Sequence, residues 1–404
     1  MLSTQTKQLS RNIPLLYTSS IIGGMLFFLP IVALYYESTL FSLTNVAIIY
    51  ATEGIVSVLF QIPAGAIADL FGRKKTVVLG NFVGIIALVF LAIGGSMLMF
   101  ILFAVILAIA SSLVRGADSA LLYDTLKQLG REKIYQKTIG TYYALWAVGA
   151  TIGSIAGGYM AESSFRLPIL MTFIPLTIAL VVTLFFIEPE YDKEKHSNVF
   201  QQMRSTLNRV ISQKQILLII ISGFTVFAFG EGLLQLTPIF FEFKTISVVS
   251  IGYLVAGMTA LMAIGEYSAY LLAKNIGNKN ILLLAGFGVP VFILLATFTQ
   301  SMTAGILIVI PTILFGLRHT TINYWLNESI DSSKRATLIS IDSSVSMLGI
   351  TLASPFLGYF ADLYDINAAF KLFGVLLFIV PIFYLFLKDI KPQPHHPERS
   401  EGSR

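Results

Sequence analysis

Cysteine is absent, so the chain has no disulfide or thiol chemistry, and its sequence carries no mark of redox compartment. Charge is scarce as well: 12% of residues are charged, about half of the roughly 25% usual in soluble domains. Too little polar surface remains to cover a water-facing globule. Histidine occurs only four times. No nucleotide-binding loop, metal-spaced cluster or nucleophile motif appears, which argues against an enzyme and against a bound cofactor or metal. The pair His395 and His396, in the polar tail KPQPHHPERSEGSR, has no further ligands nearby. That tail is expected to lack a packed structure.

What is present is apolar. Such residues make up 55% of the chain. They come in runs of roughly 20, each long enough to cross about 30 Å of hydrocarbon as a helix rising 1.5 Å per residue. Twelve spans are expected, over residues 13–35, 44–68, 76–95, 97–122, 138–161, 167–187, 215–241, 250–273, 280–299, 303–327, 336–361 and 367–387. A transmembrane barrel is excluded, because its strands are short and alternate in polarity. The fold class is therefore an all-α membrane protein. Its stretch MLSTQTKQLSRNIP leads into a span too long for a signal-peptide core and is read as uncleaved.

The basic residues set the orientation. With a cytoplasmic N-terminus, 22 of the 27 Lys and Arg fall on the inside, Arg166, Lys244 and Lys371 fall outside, and Arg115 and Arg318 lie within spans. The positive-inside rule then places both termini in the cytoplasm of a multi-pass cell membrane protein, the inner membrane in a bacterium. The net charge of +5 describes this topology, and no nucleic-acid partner is needed to explain it.

The longest polar interruption divides the chain into a first bundle of six helices (1–187), a central cytoplasmic linker (188–214), a second bundle (215–387) and the tail (388–404). The bundles echo each other. LPIVALYYES in span one matches TPIFFEF in span seven, and GYMAE at the end of span five matches GYFAD at the end of span eleven. DLFGRK after span two has a worn copy, KNIGNK, after span eight, and Arg115 corresponds to Arg318. Matching positions lie a little over 200 residues apart or at that offset, which predicts two six-helix repeats with a substrate site between them.

Between spans two and three stand Gly65, Asp69, Gly72, Arg73 and Lys74. This spacing and place resemble the signature of the major facilitator superfamily, with Leu70 where a basic residue is usual. The resemblance runs over the whole chain, and the motifs are most similar to those of bacterial drug/proton antiporter-like members. It implies transport by rocking of two halves, with Asp69 held against helix eleven in the outward-facing state and Arg73 paired to an acid at the inner end of helix four. The matching acid is Asp124. On physical grounds Gly65 would admit a close neighbouring helix, and Gly72 would permit the turn into helix three. In span five, GATIGSIAGG carries Gly149, Gly153, Gly157 and Gly158, similar to the antiporter motif, with Ser154 in place of its proline. Glycines at this spacing also make a smooth packing face. In span four Arg115 directly precedes Gly116, whereas the family arginine stands four residues before the glycine, where Ser112 is found.

Ionisable groups inside spans each cost roughly 2.5–3.5 kcal/mol at mid-helix, so they should face protein or water. They are Glu53, Arg115, Asp118, Glu231, Glu266, Arg318 and Asp342, besides His319, and none falls in spans three, six, nine or twelve. By the resemblance those four are the outer supporting helices. Arg115 and Asp118 share a helix face and are expected to neutralise each other in part. Glu231, Gln235 and Pro238 form a stripe on helix seven. Counted from helix ends, Glu53 and Glu231 lie at an outer depth without a basic neighbour, which makes them the first proton-carrier candidates, with Asp118 next. Glu266, Arg318 and Asp342 read as a charge network of the second half. Tyr35, Tyr142, Tyr143, Trp146, Tyr267 and Trp325 lie on cavity helices and could touch substrate.

The expected function is secondary transport: proton-coupled export of small amphipathic molecules by a monomer in the lipid bilayer. The alternatives are a nutrient symporter and, remotely, a receptor on a transporter fold. Cysteines introduced at Ser163 and Ser301 of the intact cell's protein should react with an impermeant maleimide from outside, and one at Gln201 should not. External labelling of Gln201 would refute the twelve-span topology.

Overall fold

In hydrocarbon each unbonded backbone group is costly, and a helix bonds all of them within one segment. The computed structural model describes residues 8–190, 212–328 and 332–388, and every regular element among them is helical. Most of the expected linker, Gln201 included, and of the tail, with His395 and His396, lies outside the described residues.

Eleven helices among the described residues are long and apolar enough to cross a membrane. The twelfth span is the first, and it differs from expectation. It is split into Asn12–Gly24 and Val32–Leu40, each too short to cross alone. The cause is local. Gly23 and Gly24 weaken the first helix, and Pro30 offers no N–H to continue it. The break keeps its backbone bonded through tight turns, Leu29 N to Leu26 O at 3.1 Å and Ile31 N to Phe28 O at 3.0 Å.

The remaining spans are Leu43–Phe71, Arg73–Ile93, Met97–Gln128, Tyr135–Ala161 and Arg166–Leu184 in the first half. In the second half span seven is Lys214–Val226 and Gly232–Phe243, joined by a wider π turn at Phe227–Glu231. Val248–Ile276, Asn278–Thr297 and Ser332–Leu363 follow as spans eight, nine and eleven. Span ten bends between Ser301–Val309 and Thr312–Glu328, and span twelve between Ile366–Leu376 and Ile379–Leu385.

The two halves repeat in detail. Gly72 (φ +99°) starts the helix of span three, and Gly277 (φ +84°), 205 residues on, starts that of span nine in the same conformation. Ser42 and Ser247 each cap the helix that follows with a side-chain oxygen. Asn12 exchanges two amide bonds with Ile187, tying the start of span one to the end of span six. Gln215 does the same at the start of span seven, with Phe386 O at 3.2 Å and Lys388 N at 2.8 Å.

The glycines of span five form the face on which the broken span one rests. A Cβ at Gly149 would stand 2.0 Å from Ile21 O, at Gly153 2.9 Å from Leu26 N and at Gly157 1.9 Å from Phe27 O. Gly158 points elsewhere, to Gly252 Cα of span eight at 3.0 Å by the same measure. Alanine at Gly157 must displace a backbone carbonyl, and overpacking of this kind costs about 1–3 kcal/mol. G157A should therefore lower the thermal midpoint of the purified protein, and G140A, with nothing within 4 Å among the described residues, should not. Equal midpoints would show that span one does not need this face.

Candidate functional site

At the end of the bundle that carries the Gly72 turn, Arg73 ion-pairs with Asp69 one helical turn back and reaches Asp124 of span four with Nε at 3.5 Å. The structure thus brings together three of the residues singled out in the sequence. A fourth group was not foreseen. The Glu188 carboxylate accepts from Arg73 N at 2.6 Å and Lys74 N at 2.9 Å, which are free donors at the first turn of span three. Gly72 makes room for it, since a Cβ there would lie 2.9 Å from that carboxylate. Only its place at the end of span six, just past the apolar run, marked Glu188 in the sequence. Gly65, expected to admit a close neighbour, has nothing within 4 Å among the described residues, as have Gly116 and Gly140. The close approach that Gly65 was expected to serve is not made in this structure among the described residues.

The opposite end is joined across the halves. Gly158 meets Gly252, and Gly358 of span eleven lies against the Leu43 carbonyl of span two. The hydroxyls of Tyr159 and Tyr253 are 2.9 Å apart. Asp362 accepts from Ser42 Oγ at 2.8 Å, Leu43 N at 2.7 Å, Thr44 N at 3.0 Å and Thr44 Oγ1 at 2.6 Å. Spans two and eleven stay in touch as far as Gln61 and Ser344, whose side chains are 3.5 Å apart.

Between the two ends lie the ionisable groups, and here several expectations change. Asp118 is buried and turns to Tyr142, whose hydroxyl donates at 2.5 Å, while Arg115 is exposed. Arg115 stays within electrostatic range of Asp118, as expected of the pair, and the bonded partner of the carboxylate is the tyrosine. Arg115 lies within electrostatic range of Glu53, and His319 within range of Glu231, so neither acid lacks a basic neighbour. Depth counted along the sequence had missed both, because helices tilt and long side chains reach along the axis. Glu53 also stands near Tyr36 and Tyr50.

The second-half network is rearranged too. Glu266 pairs with His319, Oε1 to Nδ1 at 2.8 Å, and Asn323 Nδ2 lies 3.2 Å from the other ring nitrogen. Arg318 donates to Tyr384 Oη at 2.6 Å, leaving Nη2 buried without a partner, and Asp342 remains within its electrostatic range. Among the described residues Gln235 keeps a buried Oε1 with no partner one turn past the π turn, a distortion that recurs at functional sites. Of the aromatics, Tyr143, Trp146 and Tyr267 are exposed. Tyr35 and Trp325 are 8% and 3% exposed and belong to the packed core, so they leave the set of candidate contacts. His319 appeared in the sequence as one ionisable group among several; only the packing of spans eight and ten identifies its partner.

Buried or half-buried carboxylates thus stand in both halves, Glu53 and Asp118 in the first and Glu231 and Asp342 in the second. The model of the family described as Major Facilitator Superfamily matches residues 15–331 and 245–404. The chain is similar to the uncharacterized MFS-type transporter YxaM of Bacillus subtilis (strain 168), 24% identical over 93% of this chain and 96% of that one. It is also similar to the multidrug efflux protein YfmO of the same organism, 22% identical over 83% and 82%. Among solved structures, a mutant of the nucleoside transporter NupG superposes with a TM-score of 0.77 at 15% identity, over 94% of this chain and 98% of that one.

Glu188→Ala removes the acceptor of two free N–H groups at an exposed helix start, a loss worth about 0.5–1 kcal/mol. Its thermal midpoint should fall below that of Glu188→Gln, which keeps one acceptor. Identical midpoints for the two variants would remove the capping role.

Proposed function

Because the chain belongs to the Major Facilitator Superfamily, we propose that this transporter exports small amphipathic molecules in exchange for protons, as a monomer with both termini cytoplasmic. Its first six helices and its second six act as the two rocking bodies, divided near residues 188–214. The observation that supports this reading is the presence of carboxylates within spans of both halves, Glu53 and Asp118 in one and Glu231 in the other, in a bundle whose halves are joined at one end while Gly65, Gly116 and Gly140 nearer the other have no close neighbour among the described residues. A closing cavity changes the water exposure of such acids and hence their hold on a proton, which is what exchange requires. Tyr143, Trp146 and Tyr267 offer aromatic faces for an apolar body. Asp69, Gly72, Arg73 and Asp124 serve as the latch of the cytoplasmic end, and Arg115, Gln235, Glu266, Arg318 and Asp342 tune the cavity.

Export is favoured by the glycine face of span five and by the similarity to a multidrug efflux protein. Symport for uptake is the second reading, and Ser154 at the expected proline position favours it. A non-transporting receptor would have no need of a latch and of acids in both halves.

Flux into inside-out vesicles, measured over a panel of amphipathic cations, neutral compounds and nucleosides, should depend on an imposed proton gradient. Glutamine at Glu53 or Glu231 keeps size and hydrogen bonding but removes titration. At least one of E53Q and E231Q should lose uphill transport while retaining downhill exchange. If both variants pump like the parent, the coupling role passes to Asp118.

A further inference from the structure

Spans two and eleven come from different halves, run antiparallel and touch along much of their length, at Leu43 with Gly358, Gly54 with Thr351 and Gln61 with Ser344. Each carries an aspartate within its last turn: Asp69 in Leu43–Phe71 and Asp362 in Ser332–Leu363. The end of span eleven therefore lies beside the start of span two.

The first N–H groups of a helix have no partner within it, and a carboxylate is the best acceptor for them. Asp362 takes two of these donors on span two, Leu43 N and Thr44 N, together with the hydroxyls of Ser42 and Thr44. All four bonds cross from one half to the other. Ser42 also caps its own helix, accepting from Asn45 N at 3.3 Å. At the other end of the pair Asp69 is half exposed and pairs with Arg73 of its own half.

We infer that Asp362 is the lock of the state closed at this end: its four bonds to span two hold the halves together there and must break for that end to open. The inference stands on these bonds, and only the D69N arm of its test rests on the latch reading given above. Among the described residues Glu162, the counterpart of Asp362 in span five, is exposed, and Ser247 caps span eight. Spans five and eight meet instead through the glycine contact of Gly158 with Gly252 and the hydroxyl pair of Tyr159 and Tyr253.

The test uses the full chain with spin labels at Ser163 and Gln300, exposed positions on loops of the two halves at the Asp362 end. Distances between them are measured by double electron–electron resonance for the parent, D362N, T44V, D69N and D362N/D69N. Loss of charge-assisted bonds of this kind changes a two-state ratio by about tenfold. D362N should raise the long-distance population by that factor, T44V by less, and D69N should lower it, while the double variant returns toward the parent. A D362N distribution equal to the parent's, in protein that elutes as a single folded species, overturns the lock. A D362N shift with no opposite D69N shift supports the lock at Asp362 and overturns the latch reading of Asp69.

Discussion

Every backbone group in the hydrocarbon layer needs a bond, and the rest of this structure follows from how that demand is met. Unbroken helices meet it alone. Where the chain departs from the helix, a neighbour closes in on the exposed backbone. The break in span one is covered by Gly149, Gly153 and Gly157, whose lack of side chains lets two backbones meet. Helix starts are covered by carboxylates, Glu188 on span three and Asp362 on span two, and the chain leaving spans six and twelve is held by the amides of Asn12 and Gln215. Bonds of this kind are local in energy but global in effect, because several join elements more than a hundred residues apart.

The charged groups obey the same demand at a higher cost per group. Asp118 takes a tyrosine hydroxyl, Arg318 another, and Glu266 an imidazole. These pairings leave a few polar atoms, among them Gln235 Oε1 and one oxygen of Asp342, buried without a protein partner. Such atoms are where a cavity wall can still engage water or solute. The contrast between the ends is equally physical. At one, glycine-to-backbone contacts and Asp362 bind the halves; near the other, glycines that would allow close approach stand clear.

Much of this was readable in residue order. Apolar run length set the number and type of spans, and the repeat at an offset near 200 showed in short matched segments such as DLFGRK and KNIGNK. The structure gives that pair the same positive-φ glycine turn. Asp69, Arg73 and Asp124 were also within reach, because spacing and helix position define them. Depth was less legible. Counting from helix ends placed Glu53 and Glu231 away from any base, and Arg115 and His319 reach both.

By itself, the sequence determined what short-range physics controls: which segments are apolar enough to be helices in a membrane, where glycine and proline interrupt them, and on which loops the basic residues gather. Only the tertiary structure decided which groups meet. Glu188 on the start of span three, Glu266 against His319 and Asp362 on Ser42 and Thr44 join positions between 53 and 320 residues apart. No periodicity or spacing encodes such a meeting. It depends on how tilted helices pack, and that is set by the summed contacts of whole helices, the glycine faces above all.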